Sequence, residues 1–181
     1  MDNDSFIHPD ELWYSVGLRA DQSVVHLGCG AGFYLIPAAK IVGHNGKAIG
    51  FDILPDMLAE TESRARREQV EDIVVTHRAN LEDPESTELP VGEIDWVLVA
   101  NILHQSSPEH IFTEAQRIVA DDGRVLVVEW DTNASPFGPP AAERRAKVEV
   151  IEAAKKAGLV VEKEFRPSPY HYGILFTKHV A

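Results

Sequence analysis

An α/β fold is what this 181-residue sequence predicts: a three-layer sandwich whose seven-stranded, mostly parallel sheet ends in a C-terminal antiparallel hairpin. Three observations predict it. Five runs dense in Val, Ile and Leu are spaced by segments of helical periodicity, the pattern of parallel strands covered on both faces. A turn rich in glycine follows the first run and opens a helix. The last two apolar runs are separated only by "RPSP", too short for a crossover helix, so they must pair antiparallel.

In order along the chain, the predicted strands are "SVVHLG" at 23–28, "GKAIGFD" at 46–52, "DIVVTH" at 72–77, "IDWVLVAN" at 94–101 and "GRVLVVEW" at 123–130. "GLVVEKEF" at 158–165 and "YHYGILFTK" at 170–178 form the hairpin. Between them lie helices. Leu35, Ala38, Ala39 and Val42 recur at helical spacing after the glycines, with Pro37 expected to remove one hydrogen bond from the first turn. Pro55 opens a second helix that turns Met57, Leu58, Thr61 and Ala65 toward the sheet. Ser107 is the expected N-cap of a third, with Pro108 at its first position and Ile111, Phe112, Ala115, Ile118 and Val119 as the buried stripe. A fourth is expected over 141–157 and ends at Gly158.

Length and composition suit one globular domain over 1–181, with 1–20 as a short N-terminal cap. The acidic, polar start "MDNDSFIHPDE" differs from a secretory leader, and the single Cys29 suits a reducing compartment, so the expected location is cytoplasmic. With 29 acidic and 17 basic residues the formal charge is -12, which repels polyanions. "RARRE" at 64–68 reads as a solvated, salt-bridged helix face rather than a nucleic-acid stripe. The scattered histidines show no ligand spacing, and no metal is expected.

The turn "GCGAG" sits at the carboxyl end of the first strand, where ligands settle in open α/β sheets. Asp52 closes the second strand, placed to accept from a ribose diol, which points to an adenosine-type cofactor. A dinucleotide fingerprint starting at Gly28 needs its third glycine where Phe33 stands; the third glycine here is Gly32. A phosphate loop is also missing, because Gly46 and Lys47 are followed by Ala48.

Together with "GKAIGFDILPDML", "RANLEDPESTELPVGEIDWVLVANILHQ", "AQRIVADDGRVLVVEW" and the terminal hairpin, "VVHLGCGAGFYLIPAA" resembles the class I S-adenosylmethionine-dependent methyltransferases over about residues 10–178. The likeness is to the small-molecule branch that includes the ubiquinone and menaquinone biosynthesis enzymes, and it implies a Rossmann-like fold with S-adenosylmethionine as methyl donor. It further implies that Gly28, Cys29, Gly30 and Gly32 approach the methionine portion, Asp52 holds the ribose, Ile53 and Leu81 sandwich adenine, and Asn80 accepts from the adenine amino group. Asn101 would line the cofactor's carboxylate or its methyl-bearing end. His26 stands where most relatives place an acid facing the cofactor's amino-acid end, either as a neutral imidazole or as an imidazolium repelling the sulfonium.

A methyl acceptor with an oxygen or carbon nucleophile needs a proton removed, and His104, three residues past Asn101, is the candidate base. "NILH" replaces the Asn-Pro-Pro-Tyr type of sequence found in enzymes acting on nucleobases or glutamine, so the expected acceptor is a small molecule rather than nucleic acid. Short segments before the first strand and after the fifth imply an open site, or one completed by a second copy or another partner chain. The alternative function is a non-catalytic, cofactor-binding partner subunit docking through "FGPPA" or "YHY".

Overall fold

The computed structural model describes residues 6–133 and 135–179; the acidic start at 1–5 and Ala134 of the loop after the fifth strand lie outside them. Helix α1 (Pro9–Val16) leads into β1 (Ser23–Leu27), α2 (Leu35–Val42), β2 (Lys47–Asp52), α3 (Pro55–Arg67), β3 (Val74–Arg78) and β4 (Ile94–Ala100). Then follow α4 (Pro108–Ile118), β5 (Val119–Trp130), α5 (Lys147–Lys156), β6 (Leu159–Ser168) and β7 (His171–Lys178). The seven strands form one sheet in the order β3-β2-β1-β4-β5-β7-β6. The first five strands pair in parallel, and β7 runs antiparallel between β5 and β6. This is the Rossmann-like architecture the strand runs predict, and strand order reverses beside β1, at the turn holding the glycines.

Two apolar layers hold the sheet. Val24, Trp96, Leu98 and Leu126 pack with α1, α2 and α3 on one face, and Val25, Leu27, Val97 and Val127 pack with α4 and α5 on the other. The alternation along β1 therefore sends Val25 and Leu27 to one layer and leaves His26 on the face shared with Val24. No helix among the described residues is long and apolar enough to cross a membrane.

Several elements differ from expectation for identifiable reasons. Residues 79–93 join β3 to β4 without a helix, because the segment carries Pro84, Pro90 and Gly92 and places Glu85 and Glu88 in the left-handed region. Val119 is buried as expected but starts β5, pairing with Ile94. Helix α5 begins at Lys147 rather than residue 141, after a single 3-10 turn at Ala141–Glu143. Arg144 is drawn into the preceding loop, donating to the carbonyls of Pro139 (2.9 Å), Asp131 (2.8 Å) and Phe137 (2.7 Å), and its extended backbone interrupts the helix. Pro37 lies in the first turn of α2, where a missing N–H costs little. Ser107 is the N-cap of α4, yet its hydroxyl turns to the Glu109 carboxylate instead of capping. The hairpin turn is Pro169 and Tyr170, because β6 extends to Ser168.

Candidate functional site

The glycine turn is anchored from β2 and α3. The N–H groups of Gly28 and Cys29 both donate to the Phe51 carbonyl, at 2.9 and 2.8 Å. The Asp52 carboxylate accepts from Gly30 N–H at 2.8 Å through one oxygen and from Leu54 N–H at 3.0 Å through the other. From α3, Thr61 donates to the Gly30 carbonyl (2.8 Å) and Arg64 to that of Ala31 (3.0 Å). Gly30 sits at φ +51°, and a Cβ built there meets nothing within 4 Å, so the backbone opens onto empty space.

Two cavities meet at this turn, sharing Gly28, Asp52, Leu54, Ile102 and Gln105 in their walls. One, of about 360 Å³, is walled by Ile53, Asn80 and Leu81. The other, of about 420 Å³, is walled by His26, Cys29, Gly30, Tyr34 and Asn101. Of the expected site residues, only Gly32 and His104 line neither. Gly32 stands behind the turn, its missing Cβ facing Thr61 and Ile36 at 3.0 to 3.2 Å, and it passes the chain into α2.

The polar atoms of the second cavity are unusual. Both ring nitrogens of buried His26 and the side-chain oxygen of Asn101 lack hydrogen-bond partners. Burial lowers the His26 pKa to about 3, so the imidazole is neutral and the imidazolium expectation is corrected. Asn101 holds the left-handed region at φ 54°, which asparagine tolerates better than most residues other than glycine. The Cys29 thiol is pushed up to about 12 by burial and then by the charge of Asp52, which excludes a thiolate nucleophile. In the first cavity the Asn80 oxygen accepts from Glu82 N–H at 3.3 Å, closing a local turn, and keeps one lone pair free.

His104 faces a third, polar cavity of about 690 Å³ between α4 and α5, lined also by Glu82, Glu109, Arg145 and Lys156. This cavity adjoins the first through Gln105 and Ser106. His104 Nδ1 is buried without a partner, and burial lowers its pKa while Glu143 opposes the shift. Sequence reasoning passed over Phe33, Tyr34 and Met57 in the cavity wall and Glu129 behind it. An acid inside the apolar run "VLVVEW" is the signal that marks Glu129.

A methyltransferase-domain family matches residues 18–165. Among solved structures, a SAM-dependent methyltransferase from Aquifex aeolicus is 23% identical with a TM-score of 0.85, covering 94% of this chain and 89% of that one. A candidate type 11 methyltransferase from Sulfolobus solfataricus is 29% identical with a TM-score of 0.79, covering 98% and 95%. An arsenite methyltransferase from Halobacterium salinarum is 28% identical over 64% of this chain and 29% of its own length. The chain spans about a third of the length of the first curated relatives it matches.

Proposed function

The chain belongs to the methyltransferase-domain family, and from that premise we propose that it transfers a methyl group from S-adenosylmethionine to a small-molecule acceptor. The observation that carries the reading is the pair of cavities meeting at Gly28, one apolar beside a carboxylate and one lined by unpartnered acceptors. These residues fit the cofactor. Ile53 and Leu81 would hold adenine, the remaining lone pairs of Asp52 would take the ribose hydroxyls, and His26 with Asn101 would accept from the ammonium. When bound, S-adenosylmethionine supplies a sulfonium-activated methyl group.

His104 would take the proton from the acceptor's nucleophile, working from the polar cavity beside the cofactor. Its neutral form, favoured by burial, is the form that accepts a proton. Positioning of the two reactants by the cavity walls supplies much of the remaining acceleration. The mixed charges of the polar cavity and the overall charge of -12 favour a small polar molecule over nucleic acid. A thiophilic acceptor such as arsenite, the substrate named for one relative, would meet no exposed thiolate here, because the single cysteine is buried. Phe33, Ile53 and Leu54 stand about half exposed at the rim, where a second copy or another partner chain would close the site.

Calorimetry with S-adenosylhomocysteine, S-adenosylmethionine and NAD tests the cofactor. Tighter binding of NAD than of S-adenosylhomocysteine would sink the assignment. Release of S-adenosylhomocysteine across a panel of small polar acceptors then tests turnover, and binding without turnover on any of them would favour the partner-subunit alternative.

A further inference from the structure

Glu129, the penultimate residue of β5, is 1% exposed. Its Oε1 accepts from Ile102 N–H at 2.7 Å and from Leu103 N–H at 2.8 Å. These two amides belong to the segment after β4 that begins with Asn101 in the left-handed region. Ile102 walls both cofactor cavities, and it lies so near the glycine turn that a Cβ on Gly28 would come within 2.3 Å of its Cδ1. The Leu103 carbonyl accepts from Arg145 Nε at 3.0 Å, and Arg145 lines the polar cavity with His104. One carboxylate oxygen thus orients two successive peptide planes in the strip of backbone between the cofactor cavities and the polar one.

We propose that Glu129 is a positioning residue of the cofactor site, holding 101–103 through its two accepted N–H bonds in the shape that walls the cavity beside Gly28. The inference rests on the cofactor reading above. Hydrogen bonds to an ionised carboxylate are stronger than those to a carboxylic acid, so the hold depends on the charge. Burial raises the pKa of Glu129 to about 7, against the pull of the Leu103, Ile102 and Trp130 amides.

The ionisable groups around it are Tyr34 ahead of α2 and Tyr172 on β7, the residue paired with it across the strands. Burial and then the charge of Glu129 raise both phenols. Asp131 and Glu149 act on Tyr172, Arg145 is joined through Leu103, and His26 beyond Tyr34 is neutral. Lowering the pH therefore weakens the hold and the cofactor site with it.

The test uses the whole protein and Glu129→Gln, which keeps the shape and an acceptor oxygen but cannot ionise. In ligand-free wild type, the Ile102 and Leu103 amide proton shifts should titrate together with a midpoint near pH 7, and the variant should show no such step. From about pH 8.5 to 5.5, S-adenosylhomocysteine should lose roughly threefold to tenfold more affinity for wild type than for the variant, a ratio in which the ligand's own titration cancels. Amides that do not titrate in wild type overturn the proposal, whether or not the variant folds. Titrating amides with the same affinity profile in both proteins overturn it too, because the hold would then not reach the ligand. A wild type that binds no S-adenosylhomocysteine at any pH overturns the cofactor reading and this inference with it, and titrating amides distinguish that case from a failed hold.

Discussion

The imidazole of His26 meets the ring of Tyr34 edge-on, with 5.9 Å between centroids and 82° between planes. Packed in this way among apolar neighbours on β1, His26 is a neutral imidazole in the wall of the cavity proposed to take the cofactor's ammonium, so any change of S-adenosylhomocysteine affinity near neutral pH should persist in His26→Gln.

That burial has a stability consequence. The folded pKa of about 3 lies below the ordinary 6.5, so the folded state binds fewer protons than the unfolded chain. The contribution is fully present above pH 6.5 and is lost as pH falls toward about 3. His26→Gln should flatten this part of the profile. Thermal melts by circular dichroism from about pH 7 to 4 should show a steeper loss of Tm for wild type than for the variant, and parallel curves would mean that His26 titrates as if exposed.

Gly28 and Gly30 should respond differently to alanine. Both have positive φ, so each variant carries backbone strain of roughly 1–2 kcal/mol. At Gly28 the new methyl also meets Ile102 Cδ1 at 2.3 Å, whereas at Gly30 it enters open cavity. Gly28→Ala should therefore lose more stability in denaturant titrations. Gly30→Ala should lose at least about tenfold in S-adenosylhomocysteine affinity with the smaller stability change. Unchanged affinity for Gly30→Ala would move the ligand away from the turn.

How far the sequence discloses this protein depends on where the deciding contacts lie. The strands were legible because both faces of the sheet are covered and each run is apolar throughout, as in Val97, Leu98 and Val99. Gly158 was legible as a helix stop because its φ of +91° is a local requirement. Helix α1 carries Pro9 at its start, acids in its first turn and Gly17 at its end, but eight residues give too short a periodic pattern to stand out. The beginning of α5 was not legible, because it is decided by the bonds of Arg144 to the loop across from it. At the site, the glycine turn and Asp52 follow from local spacing. The hold of Glu129 on 102 and 103 joins residues 27 and 26 positions apart, and the grouping of His104 with Arg145 and Lys156 joins residues about 41 and 52 apart; such contacts leave no periodic trace.

Asp52, proposed above to take the ribose hydroxyls, also serves the fold. Both its oxygens accept backbone N–H bonds, from Gly30 and from Leu54. Asp52→Asn offers one oxygen, which can stay on the part-buried Gly30 N–H while the exposed Leu54 N–H turns to water, a loss of about 0.5–1.5 kcal/mol. The variant should melt lower and bind S-adenosylhomocysteine more weakly. A variant with wild-type Tm and reduced affinity would restrict Asp52 to ligand binding.

His104 offers the most direct test of the chemistry. Its Nδ1 is buried and unpartnered in the polar cavity, which shares Gln105 and Ser106 with the cavity assigned to adenine. Burial holds its pKa below 6.5, and the opposing effect of Glu143 is smaller. A base of this kind is ready above its pKa and disabled below it, so kcat should be flat near neutral pH and fall in a single proton-dependent step at a pH below 6.5. His104→Ala should lower kcat by about 10²- to 10⁴-fold with an acceptor that carries its nucleophile's proton, and should remove that step. S-adenosylhomocysteine affinity should stay near wild type, because His104 walls neither cofactor cavity. An acceptor whose nucleophile needs no deprotonation should react equally well with both proteins. Equal loss on both kinds of acceptor would show that His104 positions the acceptor instead of taking its proton, and no loss on either would leave it a solvent-side residue of the loop after β4.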